Sequence, residues 1–170
     1  KTAGFCFGVR NALKITEEEF TRDSRTALCT YGPLIHNQDV TRSLEERGIR
    51  SISTPEEAQP GERVVIRAHG VGRKVQEQLT QRGAVVIDGT FVKRIHRIVE
   101  EHSAGGETIL ILGSPKHPEV QGIMGWSSAP CLIMEGPEDE IPAAIQDNPS
   151  KKCCMVAQTT FRQENFQKIV

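Results

Sequence analysis

No apolar run in the 170-residue sequence is long enough to cross a bilayer. The longest, such as Ile109 to Leu112, are the size of a single strand. A basic surplus is missing as well. Lys and Arg number 21 against 22 Asp and Glu, a formal charge of −1, which argues against a general nucleic-acid binder, since such a protein needs cations to displace counterions from phosphates. No charged-then-apolar leader opens the chain, so secretion is not expected. Lys1 stands where a Met would begin a complete protein, and Val170 falls inside a helical pattern. The sequence therefore reads as a piece of a longer protein.

A disulfide framework is also lacking. The five cysteines are odd in number and lack the dense, even spacing of a stapled scaffold. Cys29 and Cys131 fall in apolar strand-like stretches, where a buried, inert thiol is the usual outcome. Cys153 and Cys154 alternate into and out of a strand. Cys6 differs, because the glycines of Gly4-Phe5-Cys6-Phe7-Gly8 let backbone approach a ligand closely. A reducing, cytoplasmic setting suits all five.

What the sequence does contain is a soluble globular balance, 37% hydrophobic and 25% charged, with a repeated switch between short β-rich runs and helical stretches. Strands are expected at 27–31, 64–68, 84–87, 108–112, 130–134 and 153–159. Helices are expected at 9–20, 38–47, 72–82, 92–103, 119–125 and 138–146. Arg47-Gly48 and Arg82-Gly83 are good helix stops, and Pro118 fits a first helical position with Glu119 behind it. Strand alternating with helix implies an α/β class: two small doubly wound lobes with mostly parallel sheets, at 1–90 and 91–170.

Three of the five histidines follow strands directly. His36 lies in Tyr31-Gly32-Pro33-Leu34-Ile35-His36-Asn37, His69 in Arg67-Ala68-His69-Gly70-Val71, and His117 in Gly113-Ser114-Pro115-Lys116-His117-Pro118-Glu119. Open α/β sheets bind ligands there, beyond the carboxyl ends of their strands. One such histidine is ordinary; three at equivalent positions point to a shared site, with all three facing one cleft. A metal centre is one reading of them, although none has the tight spacing of a helix-borne zinc motif. An anion pocket is the other, since imidazoles, glycine-rich backbone and helix starts suit a phosphate or diphosphate. Glu119 is then the one acid in a cationic pocket, placed to relay a proton. Gln158-Thr159-Thr160 adds hydroxyls at the end of the last strand. His96 and His102 lie on a helical pattern and are expected at the surface.

Five blocks occur in an order that resembles a known family: Gly4-Phe5-Cys6-Phe7-Gly8-Val9, Ile35-His36-Asn37, Ala68-His69-Gly70-Val71, His117-Pro118-Glu119-Val120-Gln121-Gly122 and Ala157-Gln158-Thr159-Thr160. The chain is similar over its whole length to the 4-hydroxy-3-methylbut-2-enyl diphosphate reductases, iron–sulfur enzymes of the methylerythritol phosphate route to isoprenoids. That family has three α/β lobes, of which this chain would supply two, truncated at its C-terminus with the third lobe absent. The resemblance implies reductive loss of the hydroxyl of an allylic diphosphate, giving isopentenyl and dimethylallyl diphosphates, with electrons from a donor such as ferredoxin or flavodoxin. It implies a 4Fe–4S cluster held by three cysteines, Cys6 matching the first. His36, His69 and His117 match the diphosphate-binding histidines, Thr159 the hydroxyl that holds the substrate alcohol, and Glu119 the acid that delivers protons. The alternative is a catalytically inactive, cluster-free fragment or homologue that keeps a diphosphate pocket.

The pattern departs from the family at one internal block. Where the family has Asp-x-Thr-Cys-Pro, this chain reads Asp88-Gly89-Thr90-Phe91, two residues short. The third cluster cysteine belongs to the third lobe, and none of Cys29, Cys131, Cys153 or Cys154 stands in place of either ligand. A break between Thr90 and Phe91 is expected, their Cα atoms lying farther apart than the 3.80 Å of one trans peptide.

Overall fold

A computed structural model describes residues 7–23, 25–34, 37–148 and 150–170. The chain divides into two compact units, 1–93 and 94–170.

The first unit is a four-stranded parallel sheet in the order β2-β1-β3-β4, formed by β1 (Leu28–Tyr31), β2 (Arg50–Ile52), β3 (Arg63–Ile66) and β4 (Val85–Ile87). Successive strand residues point to opposite faces, so each strand serves two cores. Cys29 lies opposite Val64 and Tyr31 opposite Ile66. These four side chains pack with Ile52, Leu79 and Val75 on one face, which α3 (Arg73–Gln81) covers. Leu28 and Val65 point the other way, into a cluster with Ala12, Leu34 and Ile49, beneath α1 (Phe7–Arg22) and α2 (Gln38–Glu46). Arg63 opens β3 with its side chain buried. It pairs with Glu19 at 3.2 Å and donates to the carbonyls of Glu19, Asp23 and Thr26, tying the end of α1 to the sheet.

The second unit is a three-stranded parallel sheet in the order β6-β5-β7, built from β5 (Thr108–Leu112), β6 (Cys131–Met134) and β7 (Cys153–Ala157). As the central strand, β5 is apolar on both faces, as a buried parallel strand must be. Ile109 and Ile111 meet Val99, Val120 and Ile123, under α4 (Val92–Ala104) and α5 (Pro118–Met124). Leu110 and Leu112 meet Met134, Ile145 and Phe166, under α6 (Ala143–Gln146) and α7 (Gln163–Ile169). The α/β class and parallel sheets match expectation. No helix among the described residues is long and apolar enough to cross a membrane.

Several elements differ from expectation. β2 is only three residues, Arg-Ser-Ile, too short and too polar to stand out as a strand. The expected helix 138–146 shrinks to α6, because Pro142 sits extended at its N-cap and the Asp139 carboxylate holds the preceding turn through the Glu135 and Gly136 amides. β7 stops at Ala157, so Thr159 lies past the strand in a turn closed by the Phe161 amide on Gln158 O. His96 is not a surface residue. It is 2% exposed, on the buried stripe of α4 with Val99 and Ser103, and its ring stacks on Trp126 with centroids 5.4 Å apart. His102 remains partly exposed, its Nδ1 2.7 Å from Glu107 Oε2.

Candidate active site at the carboxyl ends of β5 and β7

The two connections that leave β5 and β7 carry the chemistry of the second unit. β5 and β7 are neighbours in register from Thr108–Cys153 to Leu112–Ala157, so their following turns emerge side by side. Gly113 makes this possible. Its φ is 156°, and a Cβ there would stand 2.9 Å from both Gln158 Cβ and Val120 Cγ2. Across that close approach the Ser114 amide donates to Gln158 Oε1 at 3.4 Å, and Gln158 Nε2 donates to Thr160 Oγ1.

His117 is the N-cap of α5, Pro118 its first residue and Glu119 its second. The Glu119 amide donates to His117 Nδ1 at 3.2 Å. With Nδ1 accepting, the neutral imidazole carries its proton on Nε2, which is then a donor. The Glu119 side chain is 2% exposed, and both carboxylate oxygens are held by one residue. Thr159 N–H donates to Oε1 and Thr159 Oγ1 donates to Oε2, each at 2.7 Å. Thr159 itself is exposed, so a solvent-facing hydroxyl covers a buried acid.

In the first unit, His69 lies in the turn 67–70 that follows β3, closed by the Gly70 amide on Arg67 O at 2.9 Å, with Gly70 at φ 71°. Cys6 and His36 lie outside the described residues. Asn37, next to His36, caps α2 through Oδ1, which accepts from the Asp39 and Val40 amides. Sequence reasoning passed over Arg67, although a cation ending an apolar strand one residue before Ala68-His69 was a signal.

Among the described residues, the cysteines do not supply the thiolates of the 4Fe–4S cluster implied by resemblance. Such clusters take thiolates. Burial, and next the Glu62 carboxylate, push the Cys29 thiol up to about 12. Burial likewise raises Cys131, Cys153 and Cys154. Among the described residues, no three His, Cys, Asp or Glu side chains gather as a metal site. At the block that departs from the resemblance, Asp88 Oδ1 accepts from Thr90 N at 3.1 Å and Thr90 Oγ1 at 2.7 Å. The Lys93 amide closes on Thr90 O at 3.3 Å, a turn that leads into α4.

Comparison with known proteins bears on the family and the fold. The chain is 39% identical over 173 residues to a 4-hydroxy-3-methylbut-2-enyl diphosphate reductase of Caldanaerobacter subterraneus, covering 99% of this chain and 58% of the relative. It is 36% identical over 172 residues to the reductase of Clostridioides difficile, covering 100% and 61%. A solved structure of the (E)-4-hydroxy-3-methyl-but-2-enyl diphosphate reductase, described as the terminal enzyme of the non-mevalonate pathway, superposes with a TM-score of 0.77 at 33% identity, over 99% of this chain and 59% of that one. The Plasmodium falciparum reductase shares the fold, with a TM-score of 0.79 at 24% identity, over 99% and 54%. The chain thus spans about three-fifths of the length of the curated relatives it matches. Residues 1–170, every position, match the family described as LytB protein, and the chain belongs to that family.

Proposed function

We propose that this chain is the diphosphate-binding and proton-handling part of a cytoplasmic 4-hydroxy-3-methylbut-2-enyl diphosphate reductase. In the longer protein the overall change is loss of the allylic hydroxyl as water. The C–O bond breaks, a C–H bond forms, and two electrons with two protons enter from an external donor such as ferredoxin or flavodoxin and from solvent. The observation that carries the reading is the buried Glu119 carboxylate held at both oxygens by the exposed Thr159. Thr159 Oγ1 donates a hydrogen bond to the ionised Glu119 carboxylate. Once Glu119 is protonated the chain runs the other way: its O–H donates to Thr159 Oγ1, and the Thr159 O–H turns to donate to the departing hydroxyl, which leaves as water. The candidate diphosphate donors are His36 and His69 in the first unit and His117 in the second.

The block Asp88-Gly89-Thr90-Phe91, which lacks the family's Cys-Pro, supports a second reading, a homologue that keeps the diphosphate pocket without a cluster. Anaerobic purification of the full-length protein separates the two. The reductase reading expects visible charge-transfer absorption, iron and sulfide in proportion, and isopentenyl and dimethylallyl diphosphates from the allylic substrate. Saturable substrate binding without iron or turnover supports the second reading and rejects the first.

A further inference from the structure

In the first sheet, β1 and β3 lie side by side. The connection after β1 leads outward to β2, while the connection after β3 leads the opposite way to β4. The carboxyl ends of this pair form a topological switch point, the place where open parallel sheets leave a crevice for ligands. Arg67 is the first residue past β3, and its side chain lies across the end of β1. A Cβ on Gly32 would stand 2.9 Å from Arg67 Nη1 and 3.1 Å from its Cδ. Gly32, at φ 72°, therefore both turns the chain after Tyr31 and leaves the space the guanidinium fills.

The Arg67 Nε is buried and has no hydrogen-bond partner, although the residue as a whole is only half-buried. Among the described residues no carboxylate is paired with it. Arg63 and Arg50, which open β3 and β2, differ at their terminal nitrogens: Arg63 binds three carbonyls, although its Nε likewise has no acceptor, and Arg50 lies on Glu62 at 2.7 Å. A buried donor left without an acceptor is uncommon and asks for an explanation. Basic residues follow Arg67 in the chain. His69 stands two residues on in the same turn, and α3 opens with Arg73-Lys74 and has no acid in its first turn. A guanidinium offers a planar fork of N–H donors matched to phosphoryl oxygens. With no side chain at position 32, the guanidinium lies against the end of β1.

We propose that Arg67 is a diphosphate ligand, binding phosphoryl oxygens in the crevice between the ends of β1 and β3, beside His69. This rests on the diphosphate reading above and adds to it a residue outside the motif blocks. An Arg in this place adds a fixed charge and a geometric fork to histidines whose charge varies with pH, so binding persists at pH values where imidazole is neutral.

Calorimetric titration with inorganic pyrophosphate at pH 8 tests it, using the full-length protein, Arg67→Met and Arg67→Lys. The expected result is a loss of roughly tenfold or more in affinity for Arg67→Met and a smaller loss for Arg67→Lys, since the charge remains while the fork is gone. The salt dependence should fall with the charge, and the unliganded melting temperature should hold. The Arg67 Nε–H resonance of the wild-type protein should also move on adding pyrophosphate, a readout that does not depend on a variant folding. Wild-type binding with an unmoved Nε–H, or with equal affinity in Arg67→Met, overturns the assignment alone. A lowered unliganded melting temperature with unchanged affinity identifies a structural brace and overturns it too. Absence of pyrophosphate binding by the wild-type protein overturns the diphosphate reading and this inference together.

Discussion

Thr159 grips Glu119 twice, once with its amide and once with its hydroxyl, both at 2.7 Å, although forty residues separate the two in sequence. The amide bond fixes the carboxylate and the hydroxyl bond links it to the outside. Structure and chemistry are carried by different atoms of one residue, so substitutions can pull them apart.

Glu119→Gln should keep the fold and lose the reaction. A Gln side chain can still accept from the Thr159 amide and can donate to its hydroxyl, so stability should change by less than about 1 kcal/mol. It cannot deliver a proton, and turnover in the longer protein should fall at least about 100-fold. Urea unfolding beside steady-state turnover checks both halves, with diphosphate affinity expected to change far less than rate.

Gly113→Ala should disturb the site from beneath. The added methyl meets Val120 Cγ2 and Gln158 Cβ at 2.9 Å, both in packed surroundings, at a φ of 156° that suits glycine. A loss of roughly 1–3 kcal/mol is expected in thermal or urea unfolding. Substrate affinity should fall as well, because Gln158 leads directly into Thr159.

Cys29 makes the first unit sensitive to alkali. Its thiol is pushed from an ordinary 9.0 up to about 12, by burial first and then by Glu62. The folded state therefore keeps a proton that the unfolded chain gives up. This contribution is whole below pH 9 and is lost as pH rises toward 12, at about 1.4 kcal/mol per pH unit. Urea midpoints measured from pH 8 to 10.5 should fall more steeply for the wild type than for Cys29→Ala, which lacks the thiol.

The architecture was legible because buried parallel strands leave compact apolar runs. Thr108–Leu112 and 64–68, observed as Arg63–Ile66, stand out against helices punctuated by Arg47-Gly48 and Arg82-Gly83. β2 was not legible, since Arg50 and Ser51 look like loop residues and become a strand only by pairing with Cys29 and Thr30. His96 misled for a related reason. Its type suggests solvent, while its place three residues before Val99 puts it on the stripe that packs inward. For the site, Glu119 and Thr159 could be named from their motif blocks. Their bidentate contact could not, because it depends on the β5–β7 register and on the missing side chain at Gly113. Arg67 was passed over because its significance comes from Gly32, thirty-five residues away, and from a strand order the sequence does not spell out.

The central claim is that the chain holds an allylic diphosphate with its alcohol at Thr159. Calorimetric titration of 4-hydroxy-3-methylbut-2-enyl diphosphate into the full-length protein and into Thr159→Val tests it most directly. Removing the hydroxyl deletes its bonds to Glu119 and to the alcohol and leaves the Thr159 amide in place. The account predicts saturable one-to-one binding by the wild-type protein, weakened about tenfold by Thr159→Val, a loss of about 1.4 kcal/mol. Inorganic pyrophosphate, which has no alcohol, should bind both proteins alike. Equal substrate affinity in the two proteins, or no binding by the wild type, would contradict it.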